Sequence, residues 1–340
     1  MAKAVKLSDI AGQLGVSTVT VSKALSNQKG VSEEMRTKIQ NLASELGYRK
    51  YLNPQSRGTK GFNVGVLVSE VYVEKYSTFY WEMYQAINTC AARENCFVLL
   101  EVLSTADEKE LTPPKLLTED KVDGMLILGA VQGVYLEQMK KAFPVPLVFL
   151  DFYDASVKEE AVISNSYYGT YELTNYLIEK GHRDIAYVGT LLTTGSITDR
   201  YFGYARSLLE HGIPLREEWV LPDRDQKRRM YDDMPMPKKM PTAFVCNCDL
   251  TAGKVINTLQ KQGLKVPEDV SVVGFDDYIF PGLCDVAITT YSVNMNDMAE
   301  TGLHTLRAKL SGEKYNHGMN MVGGHLIEKG SVRQIKTDED

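Results

Sequence analysis

The chain has 340 residues, 44% of them hydrophobic, with 38 Lys or Arg against 44 Asp or Glu and a formal net charge of −6. A chain of this length is too long for one small core and points to more than one domain of ordinary globular composition. Five cysteines, at 90, 96, 246, 248 and 284, are an odd number in a large chain and do not describe a disulfide framework. No charged-apolar-small segment opens the sequence and no apolar run approaches a membrane span, so the expected location is the cytoplasm, with no membrane partner.

The charge is unevenly spread. Residues 1–60 hold ten Lys or Arg (3, 6, 23, 29, 36, 38, 49, 50, 57, 60) against four Asp or Glu (9, 33, 34, 45), which leaves 28 basic and 40 acidic residues for the remainder. A basic head on an acidic body expects a nucleic-acid partner for the head alone, with binding that weakens as salt rises.

In chain order, Ser8 is positioned to cap a short helix with Ile10 and Leu14 on one face, and Gly15-Val16 breaks it. The next stretch, Thr18-Val19-Thr20-Val21, alternates like a half-buried strand. Its neighbours favour a helix instead: Ser17 is a good N-cap, and Val21, Ala24 and Leu25 then share one face. The helix propensity of each β-branched residue is at most about 0.7 kcal/mol worse than that of Ala, which packing can override. Ser32 caps a third helix, Glu33 and Glu34 favour its positive end, and Met35, Ile39, Leu42, Ala43 and Leu46 form its stripe before Gly47. Three helices in under 50 residues make a helix-turn-helix unit.

From residue 62 the pattern becomes α/β. "FNVGVLVS", "CFVLLEV", "GMLILG" and "PLVFL" are short apolar runs suited to parallel strands, and a helix is expected over 79–94. After Asp151 a second series follows, with strands in "DIAYVG", "TAFVC" and "VSVVGF" and helices near 167–180, 199–211 and 250–262. The expected architecture is a three-helix helix-turn-helix head plus two doubly wound parallel-sheet subdomains, with ligands bound beyond the carboxyl ends of the strands. The proline-bearing segment 223–241 reads as a loop. Cys246 and Cys248 form C-x-C, either a metal-ligand pair or simply the end of a strand. No metal or cofactor is expected. His182, at a helix-to-strand turn, reads as structural, and no phosphate-loop, dinucleotide, zinc-protease or serine-hydrolase motif is present.

Seven blocks, "LSDIAGQLGVSTVTVSKALSN", "VSEEMRTKIQNLASELGY", "NYLIEKGHRDIAYVG", "DRYFGYARSLLEHGI", "PTAFVCNCDLTAG", "VPEDVSVVGFDD" and "ITTYSVNMNDMA", resemble the lactose-repressor (LacI/GalR) family of bacterial transcription regulators. The resemblance covers essentially the whole chain. It implies a homodimer whose heads bind a pseudo-palindromic double-stranded operator and whose periplasmic-binding-protein-like core senses a small molecule, such as a sugar. The expected divisions are a DNA-binding head at 1–48, a hinge at 49–61, one core subdomain at 62–161 with 292–323, and the other at 162–291 with 324–340. A cytoplasmic carbohydrate-binding or carbohydrate-processing protein with a degenerate head is the alternative.

By the resemblance, Thr18 and Val19 meet base edges, and Lys23 reaches guanine or phosphate. Ser8, Ser17, Thr20, Ser22 and Asn27 position the backbone. In the hinge, Arg57 stands where the family places a minor-groove leucine, which expects electrostatic contact with weaker kinking. For the effector, the resemblance points to Tyr76 and Phe79 as aromatic walls, with Tyr80 flanking, although an apolar residue at a helix start also suits the core. Asp151, Arg200 and Asp276 converge on a polyol or pair with one another. Asp249 fits the family D-x-x-A position, and Cys248 replaces the usual Asn before it.

Overall fold

The computed structural model describes residues 7–25, 30–46, 62–73, 79–226, 229–278 and 282–335. The hinge at 49–61 with Arg57, as well as Asn27 and Tyr76, lie outside the described residues. The chain divides into two units, one built on residues 1–60 and one on the chain from 61 onward.

In the first unit the ambiguous stretch is helical. Helix α1 spans Leu7–Leu14, α2 Thr18–Leu25 and α3 Glu33–Glu45. Ser17 caps α2 as expected: its Oγ accepts from the Thr20 backbone N–H at 3.0 Å, and its carbonyl from that of Val21 at 3.1 Å. Gly15 makes the turn in the left-handed region (φ +63°), where a side chain would be strained. Ile10, Ala11, Val21, Ala24, Ile39 and Ala43 are buried together, and Leu14, Leu25, Met35, Leu42 and Leu46 pack around them. This burial is what turns the alternating run into a helix. Ser8 lies inside α1, one residue past its start, and so is not its cap.

The second unit runs β1 (Asn63–Ser69), α4 (Phe79–Arg93), β2 (Phe97–Leu103), α5 (Thr105–Glu110), α6 (Lys115–Thr118), β3 (Gly124–Leu128), α7 (Gly133–Ala142), β4 (Leu147–Leu150) and β5 (Glu160–Ser164). It continues with α8 (Ser166–Glu179), β6 (Ile185–Val188), α9 (Gly195–Glu210), β7 (Val220–Leu221), β8 (Ala243–Cys246), α10 (Asp249–Lys261) and β9 (Ser271–Val273). It closes with β10 (Thr290–Val293), α11 (Met295–Ser311), β11 (Met319–Val322) and β12 (Gly324–Ile327). A six-stranded sheet has the order β11-β5-β4-β3-β1-β2 and a four-stranded sheet the order β7-β6-β8-β9. Every pairing in both is parallel. β10 and β12 form an antiparallel pair, joined by single bridges from Thr289 to Val273 and from Ser292 to Asp276.

All seven strands expected in the core are present; six are largely buried apolar runs, whereas β2 lies at the sheet edge with Phe97, Leu99 and Val102 exposed. The strands absent from the sequence reading, β5, β7, β10, β11 and β12, are short, and β11 and β12 are only half-buried. The divisions drawn at 161/162 and 291/292 fall inside β5 and β10. Helices α8 and α9 meet closely at Gly203, where a Cβ would stand 2.1 Å from the Tyr167 carbonyl oxygen. The segment 223–241 is irregular, as expected, apart from a bridge between Arg224 and Met230.

His182 is fully buried in the turn before β6, with Nδ1 3.0 Å from Thr242 Oγ1 and Nε2 3.2 Å from the Arg333 carbonyl. Burial and the nearby Arg333 charge push its pKa down from 6.5 to about 4, against the carbonyl contact. The folded protein therefore keeps a neutral imidazole where the unfolded chain takes up a proton. Stability is expected to fall as pH drops from 6.5 towards 4, by on the order of 3 kcal/mol from this group alone. Denaturant titrations across that window should show this slope, and His182→Gln should flatten it.

Candidate functional site

The head presents one side of α2 to solvent. Thr18, Val19, Ser22 and Lys23 are exposed, whereas Val21 and Ala24 are buried on the opposite side. Val19 is 60% exposed, so its methyl groups stand on this surface beside the polar side chains. Thr20 is half-buried and its hydroxyl lies 2.8 Å from Ser17 Oγ. These two residues therefore hold the start of the helix. Ser8 is exposed on α1.

A residue that the sequence reading passed over holds the other end. Arg36 of α3 is buried, and its Nη1 donates to the Ala24 carbonyl at 3.1 Å and reaches that of Lys23 at 3.5 Å; Nη2 reaches Val31 at 3.5 Å. A guanidinium is well suited here, because the last carbonyls of α2 carry partial negative charge and have no partner within the helix. Arg36 stood in the polar set of α3 by period, and only the fold reveals what it touches. Arg36→Met is expected to destabilise the head by about 2 kcal/mol, through unsatisfied carbonyls. Faster amide exchange across α2 and α3, with the core unchanged, would check this.

In the core, the candidate residues sit beyond strand carboxyl ends, as a parallel sheet requires. Asp151 follows β4 directly in the left-handed region (φ +63°), and its Oδ2 accepts from Tyr80 Oη at 2.8 Å. Arg200 of α9 is 5% exposed. Its Nε donates to Ser166 Oγ at 3.2 Å, Nη1 to the Asn247 carbonyl and Nη2 to Asp276 Oδ1 at 3.2 Å. The guanidinium carbon lies 3.8 Å from the centroid of the Phe275 ring. Burial raises the pKa of both aspartates: Asp276 reaches about 7, with Asp151 adding to the rise and Arg200 opposing it. Asp151, Arg200 and Asp276 are thus brought together, with Tyr80 as their fourth member.

Two expectations need correction. Phe79 is the first residue of α4 and lies on its buried stripe with Met83, Ile87 and Ala91. Tyr80, one position on, faces the cluster; a helix turns about 100° per residue, so adjacent rings cannot share a face. Asp249 is buried, but Oδ2 accepts from the Tyr278 backbone N–H at 2.9 Å and Oδ1 lies where a Cβ on Gly274 would stand. It braces the turn after β9 and so positions Asp276. Cys248 occupies the N-cap of α10, with Sγ 3.3 Å from Thr251 Oγ1. Burial and the Asp276 charge push its thiol up to about 11. Cys246 is buried in β8, and no group of three His, Cys, Asp or Glu among the described residues is placed to hold a metal.

Removing Arg200 would leave two buried carboxyl groups without their cation. Arg200→Ala is expected to lower core stability by about 3 kcal/mol or more. Adding Asp276→Ala should restore part of that loss; full additivity in the two-residue cycle would show that the pair does not act as one unit.

Comparison with known proteins agrees with this geometry. The family described as bacterial regulatory proteins, lacI family, matches residues 6–50, and the periplasmic binding protein-like domain matches residues 174–332. Both matches are ones that a LacI-family regulator would give, one in the head and one in the core. It is similar to the HTH-type transcriptional repressor PurR of Vibrio campbellii (25% identity, 97% of this chain, 99% of the relative). It is also similar to the HTH-type transcriptional repressor CytR of Escherichia coli K12 (26%, 98% and 97%). Among solved structures, a transcriptional regulator CelR–cellobiose complex shares the fold with a TM-score of 0.66 (23% identity, 96% and 99% covered). A lac repressor dimer bound to operator and an anti-inducer does so at 0.64 (22%, 97% and 100%).

Proposed function

We propose that this chain is a sequence-specific DNA-binding repressor whose hold on its operator is set by a small effector, a sugar or related metabolite, bound in the core. The observation that carries this reading is the outward face of α2, where Thr18, Val19, Ser22 and Lys23 stand exposed on a helix capped and anchored at both ends. Thr18 and Val19 offer methyl groups to thymine, and Lys23 offers a donor to guanine or phosphate. Ser8 and Ser22 suit phosphate contacts. Full-length similarity to two transcriptional repressors supports the same reading.

The cluster of Tyr80, Asp151, Arg200 and Asp276 supplies donors and acceptors for a hydroxylated ligand, and Cys248 forms part of the floor. The protein acts by binding and is not an enzyme. It works as a homodimer in the cytoplasm: one short helix reads too few base pairs, and a symmetric operator is matched by two heads. The lac repressor neighbour is such a dimer on its operator.

A duplex selected in vitro from random sequences by the full chain provides the test. The double variant Thr18→Ala, Val19→Ala should bind the selected duplex at least about tenfold more weakly, with little change on random DNA. Equal loss on both would remove base reading by α2.

A further inference from the structure

The loop after β7 holds a second guanidinium, that of Arg224, which is partly buried. Asp223, fully buried, accepts from the Thr190 backbone N–H at 2.9 Å, from Asn247 Nδ2 at 2.7 Å and from Thr251 Oγ1 at 3.3 Å. Arg224 grips the same carboxylate through Nε at 3.0 Å and Nη2 at 2.6 Å. These contacts hold Asp223 at about 2 despite its burial.

Arg224 Nη1 has no hydrogen bond among the described residues, and 15% of the side chain remains accessible. Asn247 joins the two guanidinium groups, since its amide holds Asp223 while its carbonyl accepts from Arg200. Arg224 is also within electrostatic reach of Cys248 and of Tyr72, which packs on Tyr80 with centroids 4.6 Å apart. Arg224 stands beyond the carboxyl end of β7, as Asn247 stands beyond that of β8.

Resting on the effector-cleft reading above, we infer that Arg224 is a specificity-determining residue that turns its remaining edge to an oxyanion, so the effector is a hydroxylated molecule bearing a carboxylate or a phosphate. A planar guanidinium fork matches either group in a bidentate way. Charge points the same way. Of the three carboxyl groups around Arg200 and Arg224, Asp223 is ionised, while burial raises Asp151 and Asp276. Asp276 faces Arg200, Asp151, Tyr80, Cys248 and Asp249. Burial thus disfavours the charged form of two of the carboxyl groups beside the two guanidinium groups, and an anionic ligand suits that setting better than a neutral sugar.

Two small-molecule fractions of a bacterial cell extract serve as probes: the one retained by an anion exchanger and the one that passes through. The retained fraction should raise the melting temperature of the full chain. Arg224→Lys keeps a cation against Asp223 but lacks the second edge, so it should need at least tenfold more of that fraction while melting normally without it. Phosphatase treatment separates the sources: a lost response assigns a phosphate, a retained one a carboxylate. Stabilisation by the neutral fraction, or a wild-type response in Arg224→Lys, would overturn the inference. If neither fraction acts on the wild type, the effector-cleft reading itself falls, and this inference with it.

Discussion

The core is organised around one buried cation. A guanidinium with 5% of its surface exposed is tolerable only when its charge and its N–H groups are matched. The partners of Arg200 come from separate places: the first residue of α8, the carbonyl beyond β8, and the turn after β9. Asp151, beyond β4 in the other sheet, adds its field. Each partner depends on strand register, because it stands at a defined distance past a carboxyl end. The turn after β9 is braced in its own right by Asp249, which takes the space that Gly274 leaves open. The balance that holds Arg200 therefore rests on groups from both parallel sheets.

The head solves a smaller version of the same problem. Its helices are short, and isolated helices of eight residues are not stable in water. Burial of Val21 and Ala24 against Ile10 and Ile39 supplies what propensity does not. Ser17 satisfies an N–H at one end of α2 and Arg36 satisfies carbonyls at the other. Val19 lies outside this buried set, which is why a β-branched residue can stand exposed there. In both units a buried arginine from one element meets the backbone carbonyl at the end of another.

Much of this was legible in the chain. The Ser17 cap and the 3.6-residue spacing of Val21, Ala24 and Leu25 outweighed the alternation of Thr18 to Val21, since burial selects one face. Seven core strands were visible as apolar runs. Asp151 and Asp276 were marked by their place just past such runs, and Arg200 by its family block. Tyr80 was named only as flanking Phe79, because the sequence does not say how α4 is rotated against the sheet and so which of two adjacent rings meets Asp151. Asp223 and Arg224 were hidden in a charged loop, where a solvated reading of "DRDQKRR" is the natural one.

The sequence by itself determined the helices of the head, seven strands of the core, and the basic head on an acidic body. These follow from local period, capping chemistry and summed charge, none of which needs a partner distant in the chain. Only the tertiary structure decided that Asp249 braces a turn, that Asn247 ties two arginines together, and that Arg36 closes α2. Those roles depend on which polar group meets which across sequence separations of 12 to 47 residues. In a buried setting, it is the partner and not the residue type that sets the energy of a charge.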